Sequence, residues 1–157
     1  MHAKVSQALQ AHAGDYRLHR HAEFPQPIRT PVDFAAQLGY PLQRITKTLL
    51  ARSTDGRHHV VVVASMGTKV DFTAIARELE SKRIEVAPAS ELLALTGYSQ
   101  NGVSPLGIED LPVFMEEGLF AFDTILVGAG QPGVEIEIDP KTLLAITRAR
   151  RLAFVRA

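Results

Sequence analysis

The feature that most constrains the fold is a pair of apolar segments joined by a tight turn. Residues 44–52 and 58–65 have the pattern of strands, and Asp55-Gly56 between them is a strong hairpin signal. The run from Val60 to Ala64 shows no polar alternation, which predicts a strand buried on both faces. A hairpin with one fully buried strand is therefore expected at the core of a sheet.

Helix and strand patterns alternate along the rest of the chain without internal repeats. Caps and apolar spacing predict helices that end before Gly14, begin at Thr30-Pro31, follow Asp71 and begin at Asp139-Pro140. A short helix at 90–95 is predicted with Ser90 as its cap. Short strands are predicted at 15–20, 84–87, 112–116, 123–127, 133–138 and 152–155. This order predicts an α/β (α+β) fold around a mixed sheet, in one domain over residues 1–157.

The composition excludes several kinds of site. The chain has no cysteine, which excludes a disulfide framework, a thiolate zinc site and cysteine catalysis. No apolar run approaches the roughly 20 residues that span a bilayer, and the N-terminal segment lacks the apolar core of a signal peptide. We therefore expect a cytoplasmic protein without membrane contact. The histidine spacings suit no metal site, so neither a metal nor another cofactor is expected.

The balance of charge argues against extensive contact with nucleic acid. Seventeen basic and seventeen acidic side chains cancel, whereas proteins that hold many phosphates are usually strongly basic. We expect no DNA partner and weak intrinsic RNA binding. Arginines do crowd the last ten positions, at Arg148, Arg150, Arg151 and Arg156. They are either ordinary surface charge or a local basic rim around a site that touches one end of an RNA.

Lys47 is the most suggestive single residue. On a strand it shares a face with Ile45, Leu49 and Ala51, because strand side chains alternate. An ammonium among apolar neighbours costs desolvation free energy unless it reaches water or an anion. Lys47 could point from the mouth of a pocket at a substrate phosphate or carbonyl. It could also be an edge-strand lysine that reaches water and discourages aggregation.

Two glycine-rich loops are further candidates. The segment 102–107 has a proline between two glycines, and its bare backbone N–H groups could approach a ligand closely. The segment 128–133 follows a strand. Neither loop has a Walker or dinucleotide pattern, and Ser104 lies in no nucleophile elbow, so each loop alone could be only a turn. His19 and His21 share one strand face, which could serve a ligand or form a partly exposed edge.

Three of these segments, taken in order, resemble the YbaK/EbsC family of editing domains associated with prolyl-tRNA synthetase. They are Lys47-Thr48-Leu49-Leu50, the segment from Thr96-Gly97-Tyr98 through 102–107, and the segment from Gly128-Ala129-Gly130 through 133–138. The likeness extends over about residues 15–155. It implies a mixed, partly closed β-sheet wrapped by helices. It also implies removal of amino acids mischarged onto tRNA, often tRNA for proline, by a free-standing protein or by a domain inserted in the synthetase.

The resemblance also implies roles for single residues. Lys47 would be the essential catalytic residue. The remaining matched positions would bind the substrate: Thr48, His21, Gly102, Ser104, Pro105, Gly107, Gly128, Gly130 and Glu135. Backbone N–H groups and an ammonium would stabilise negative charge on the ester carbonyl oxygen. The substrate's own groups are implied to assist, so no protein nucleophile is required.

Three of these positions depart from the cysteinyl-tRNA deacylases of the family. Gly128 stands where those relatives have serine, Glu135 where they have aspartate, and His21 where they present an aromatic hydroxyl. Because these positions would shape the amino-acid pocket, alanine, serine, threonine and a non-protein amino acid are open alongside cysteine.

The expected activity is deacylation of aminoacyl-tRNA in trans, at the acceptor end, with prolyl-tRNA synthetase as a candidate partner. One alternative is a non-catalytic module of the same fold that binds an aminoacyl adenosine or a synthetase. Another is a hydrolase of a different small acyl ester. A deacylation assay with differently charged tRNAs would separate the three.

Overall fold

The computed structural model describes residues 1–12 and 14–154. Within them the helices are α1 (Ala3–His12), α2 (Pro31–Leu38), α3 (Phe72–Glu78), α4 (Ala89–Thr96) and α5 (Pro140–Thr147). The strands are β1 (Tyr16–Arg20), β2 (Thr46–Ser53), β3 (His59–Ser65), β4 (Ile84–Val86), β5 (Val113–Glu116), β6 (Ile125–Gly128), β7 (Val134–Ile138) and β8 (Arg150–Leu152). Short 3₁₀ turns occupy His21–Glu23, Leu42–Arg44 and Glu117–Ala121.

The strands form two sheets. One is antiparallel with the order β1-β7-β6, and the other is mixed with the order β4-β2-β3-β5-β8. In the mixed sheet β3, β5 and β8 run parallel to one another, and β2 is antiparallel to both its neighbours. A parallel bridge between Ile45 and Leu126 links the two sheets. The predicted α/β class is confirmed. Among the described residues the two sheets meet at this bridge and do not close into a barrel.

The β2–β3 hairpin lies between two hydrophobic cores. Its turn places Gly56 at φ +76°, a backbone angle that suits glycine. Residues 60–64 are at most 1% exposed, so the prediction of a strand buried on both faces is confirmed. Val61 and Val63 pack with α1, β6 and β7, whereas Val60 and Val62 pack against α3. The hairpin therefore lies between α3 on one side and α1 with the second sheet on the other.

Local caps set the start of three helices, as the sequence predicts. Thr30 and Asp33 form a reciprocal capping box at the start of α2, with each side chain accepting a hydrogen bond from the other's backbone N–H. Asp71 accepts from the Ala74 N–H at the start of α3, and Asp139 caps α5. These interactions are local, which is why sequence spacing reveals them.

Two predicted boundaries are wrong. Ser90 does not cap α4, because the helix begins one residue earlier and Pro88 occupies the cap position without a side-chain hydrogen bond. The last strand was expected at 152–155 but lies at Arg150–Leu152, where parallel pairing with β5 sets its register. Val155, at the end of the predicted strand, lies outside the described residues.

A buried carboxylate, that of Glu137 on β7, joins several segments. Glu137 is 8% exposed. Its oxygens contact four side chains: His19 Nε2 at 2.8 Å, Tyr40 OH at 2.9 Å, Thr124 Oγ1 at 2.6 Å and Arg44 Nη2 at 3.3 Å. Burial opposes ionisation of Glu137, but hydrogen bonds from Thr124, His19 and Tyr40 outweigh it and lower its pKa. The ionised carboxylate holds β1, β7 and the segments before β2 and β6 together.

Glu137→Gln should destabilise the fold by about 1–3 kcal/mol, because the amide cannot accept from all four donors and carries no charge. A carboxyl whose pKa is lowered on folding adds stability above its unfolded pKa, and that stability is lost as pH falls through the folded value. Unfolding free energies of both proteins, measured from about pH 7 to about pH 3, should therefore converge in acid. A difference that is independent of pH would contradict an ionised Glu137.

Candidate functional site

A small cavity lies where the two sheets separate. One edge of β2 pairs with β3. Along the other edge, a single bridge at Ile45 precedes the strand, and pairing with β4 begins only at Ala51. No described strand pairs with residues 47–49 on that second edge. A cavity of about 210 Å³ is found there. Its walls come from the start of β2, the end of β6, the start of β7 and two loops: His21, Thr46, Thr48, Asn101, Gly102, Val103, Gly128, Gln131, Gly133, Val134 and Glu135.

Two threonines of β2 line this cavity. Thr46 Oγ1 donates a hydrogen bond of 2.7 Å to the Leu126 carbonyl of β6. Thr48 Oγ1 is buried and has no hydrogen-bond partner among the described residues. Burying a hydroxyl without a partner costs about 1–3 kcal/mol. A polar group placed in the cavity would remove that cost.

A histidine–glutamate pair forms another wall. His21 Nε2 lies 2.6 Å from Glu135 Oε2, and their side chains are 28% and 16% exposed. The His21 backbone N–H donates to the Gly133 carbonyl at 2.9 Å, and the Phe34 ring packs 4.8 Å from the imidazole. Burial raises the pKa of Glu135, opposed by the hydrogen bond and charge of His21. The pair therefore places an imidazole and a carboxyl side by side in the cavity wall.

The sequence points to His21 and Glu135 separately but does not reveal their contact. The signal was present in two matching patterns. His19 and His21 are two residues apart at the end of β1, and Glu135 and Glu137 are two residues apart on β7. Antiparallel pairing of these strands places His19 opposite Glu135, so each histidine meets one carboxylate diagonally.

The two glycine-rich loops touch each other beside the cavity. A Cβ added at Gly102 would lie 3.1 Å from the Gln131 backbone nitrogen. A Cβ added at Gly128 would lie 2.1 Å from the Val103 carbonyl oxygen. The missing side chains thus allow the loops to pack backbone against backbone. A serine at position 128 would require the Val103 segment to move.

The second half of the 102–107 loop lies away from this cavity. Ser104 is fully buried, and its Oγ accepts a hydrogen bond of 3.1 Å from the Leu106 N–H. This hydrogen bond engages the Ser104 hydroxyl within its own loop. Pro105 lines a separate surface groove beside α1. Neither the Ser104 nor the Pro105 side chain lines the cavity.

Gly107 and Gly130 also lie outside the cavity and serve packing of the N-terminal segment. Their φ angles are +79° and +78°, which favour glycine. A Cβ at Gly107 would lie 2.8 Å from Lys4 Cβ, and one at Gly130 would lie 2.5 Å from His2 Cβ. Both added atoms would also approach the buried Tyr98 ring or its hydroxyl. Glycine at these positions lets α1 and Tyr98 pack closely on the loops.

Lys47 lies on the opposite face of β2 from Thr46 and Thr48, as alternation along the strand requires. It is half-buried and does not line the cavity. Its Nζ donates a hydrogen bond of 2.8 Å to the Thr68 carbonyl. Within the described residues no ion pair involves Lys47. The lysine is therefore held by a neutral acceptor, beside the cavity-lining end of β2.

Two of the four arginines near the C-terminus form ion pairs. Arg150 pairs with Glu78, and Arg151 pairs with Glu117 through a 2.9 Å contact from Nε. Arg148 lines the surface groove beside α1. Arg156 lies outside the described residues. Two members of the predicted basic rim are thus engaged with carboxylates.

The surface groove beside α1 is larger, at about 790 Å³, but its chemistry is mixed. Basic and acidic side chains both line it, among them Lys4, Arg148, Glu109 and Asp110. Across the described ranges no group of three or more histidine, aspartate or glutamate residues is placed to hold a metal ion. Nor does any helix of that part of the chain have the length and apolarity to cross a membrane.

The chain belongs to a known family of domains. The model of the aminoacyl-tRNA editing domain family matches residues 25–146. A protein of Enterococcus faecalis described as a candidate Cys-tRNA(Pro)/Cys-tRNA(Cys) deacylase, EbsC, is 31% identical over 117 residues, 74% of this chain and 71% of that protein. A proline–tRNA ligase of Shouchella clausii is 24% identical over 132 residues, 83% of this chain but 23% of the ligase. The chain therefore spans about a quarter of that ligase.

A solved structure shares the fold over almost the whole chain. It is that of a candidate trans-editing enzyme for prolyl-tRNA synthetase, with a TM-score of 0.83 and 24% sequence identity. The match covers 98% of this chain and 96% of that one.

The two cavity threonines should respond oppositely to replacement by valine, which keeps the shape and removes the hydroxyl. Thr48→Val should leave the free energy of unfolding unchanged or raise it, because an unpartnered buried hydroxyl is lost. Thr46→Val should lower it by about 1 kcal/mol, because the hydrogen bond to Leu126 is lost. Denaturant unfolding of both variants checks this. Equal destabilisation would show that Thr48 Oγ1 has a partner in solution.

Proposed function

Because the chain belongs to the aminoacyl-tRNA editing domain family, we propose that it is a trans-acting deacylase that hydrolyses the ester of a mischarged tRNA. The small polar cavity between the sheets carries this proposal. At about 210 Å³ it is smaller than the roughly 300–1,000 Å³ typical of sites for drug-sized ligands. It suits a small aminoacyl group, with the terminal adenosine at its mouth.

The lining of the cavity suits ester hydrolysis. Attack of water on an ester develops negative charge on the carbonyl oxygen, and fixed donors stabilise that charge. The Thr48 hydroxyl is buried and has no hydrogen-bond partner among the described residues. It supplies a donor without a metal ligand or a covalent nucleophile.

We propose tRNA for proline as the RNA and prolyl-tRNA synthetase as the partner, since similarity extends to part of proline–tRNA ligases. The net charge is zero and Arg150 and Arg151 are paired, so phosphate contacts should be few. Recognition would then depend mostly on the aminoacyl adenosine. Charged tRNA is made in the cytosol, which is where the protein would act.

The test is a deacylation assay with tRNA for proline charged separately with alanine, cysteine, serine, threonine and proline. We expect the protein to accelerate loss of at least one small mischarged amino acid and to leave prolyl-tRNA intact. Thr48→Val serves as the matched variant, since it should stay folded and lose activity. Retention of charged tRNA without hydrolysis of any ester would instead favour the binding module.

We further propose that the reaction requires Lys47, as the family resemblance implies. Lys47 lies on the strand that also carries Thr46 and Thr48, and within the described residues the neutral Thr68 carbonyl is the hydrogen-bond partner of its ammonium. A phosphate is a stronger partner for an ammonium than a neutral carbonyl. From the face of β2 opposite the cavity, Lys47 would bind a phosphate of the acceptor end and so position the ester.

Lys47→Ala should lower kcat/KM by about 100-fold while the protein stays folded. Lys69→Ala is the control, since Lys69 is an exposed lysine in the same turn as Thr68 and its loss removes equal charge. Steady-state kinetics with the preferred substrate measure both. Equal rates for the two variants would remove Lys47 from the reaction.

A further inference from the structure

The His21–Glu135 pair has the geometry of a base held by a carboxylate. Histidine is the side chain that most readily takes up and releases a proton near neutral pH. His21 is the histidine that lines the cavity. Its Nε2 contacts Glu135 at 2.6 Å, and in the described part of the chain no hydrogen bond involves its Nδ1. When Nε2–H donates to Glu135, Nδ1 keeps a lone pair for a proton from elsewhere.

The neighbouring pair, His19 and Glu137, has the same diagonal contact but different additional partners. His19 Nε2 contacts Glu137, but that carboxylate also accepts from Tyr40, Thr124 and Arg44. His19 is 12% exposed and does not line the cavity. Glu135, in contrast, forms a side-chain hydrogen bond with His21 and with no other side chain in the described residues. His19 is therefore part of a hydrogen-bond network around Glu137, whereas His21 is the single side-chain hydrogen-bond partner of Glu135 in the described residues.

We propose that His21 is the general base that activates the attacking water and that Glu135 is the residue that positions it. The inference rests on the deacylase function proposed above. It assigns the activation of water to this chain, so the side chain of the substrate need not supply a nucleophile. Esters of alanine and cysteine should then depend on His21 alike.

The reaction balances with these groups. His21 Nδ1 takes a proton from water as the water oxygen bonds to the ester carbonyl carbon, and Glu135 stabilises the imidazolium that forms. The tetrahedral oxyanion is stabilised by the cavity donors. Its collapse breaks the bond between the carbonyl carbon and the ribose oxygen, and the imidazolium returns its proton to that oxygen. The products are a free amino acid and uncharged tRNA.

The elements that pack against His21 are compatible with this role. From β7 comes Glu135, from β1 comes His19, and from α2 comes the uncharged Phe34 ring. No other charged side chain among the described residues lines the cavity. Glu135 and His21 are thus the two ionisable side chains of the cavity wall in the described part of the chain.

The experiment compares His21→Asn, Glu135→Gln and Glu135→Asp with the parent on tRNA charged with alanine and, separately, with cysteine. His21→Asn should lower kcat by about 100-fold or more on both esters, with little change in KM. Glu135→Gln should lower kcat less, and Glu135→Asp should recover part of that loss. His19→Asn is the matched control. The folded fraction of this variant should have the same kcat and the same pH profile as the parent protein.

A second variant separates chemistry from folding. Free imidazole should restore part of the activity of His21→Ala, which a purely structural role of His21 would not allow. Unchanged kcat in His21→Asn, or an effect on KM alone, would overturn the assignment while leaving the proposed deacylase function intact. Failure of the parent protein to hydrolyse any of the esters would overturn both.

Discussion

The unequal pairing of β2 is the constraint on which the site depends. Its pairing with β3 buries residues 60–64 between two cores and fixes the strand in place. Its other edge meets β6 through the bridge at Ile45 and meets β4 only from Ala51 onward. A continuous sheet would fill the space between these contacts with a strand. The gap instead leaves the Thr48 side chain facing a cavity. The hydroxyl of Thr48 is buried and has no hydrogen-bond partner in the described residues.

The parts of the fold that the sequence predicts are those with local causes. The turn at Gly56 and the caps at Thr30 and Asp71 act within a few residues, and each is found where spacing places it. The cavity depends on contacts between distant segments. Alternation places Lys47 on a face of β2, but only the packing of the sheets decides which face meets the cavity. The motif at 102–107 likewise does not reveal that only its first half reaches the cavity.

The two carboxylates of β7 show how the same residue type takes different roles. Both are buried, and burial favours the neutral form of each. At Glu137 hydrogen bonds from several segments outweigh burial and lower the pKa. At Glu135 the contact with His21 does not outweigh it, and the pKa is raised. Glu137 therefore stabilises the fold as a fixed charge, whereas Glu135 has a single side-chain hydrogen-bond partner, His21, among the described residues.

The contact between Gly128 and Val103 bears on how the site could select an amino acid. At Gly128 the chain brings the Val103 carbonyl oxygen to within 2.1 Å of the position a Cβ would take. The wall there is backbone, which offers an acceptor and a fixed shape but no hydroxyl donor. Selection by shape alone is worth about 1–3 kcal/mol per methylene. Discrimination among small amino acids should therefore be incomplete in the cavity, and protection of correctly charged tRNA would depend on a partner that binds it first.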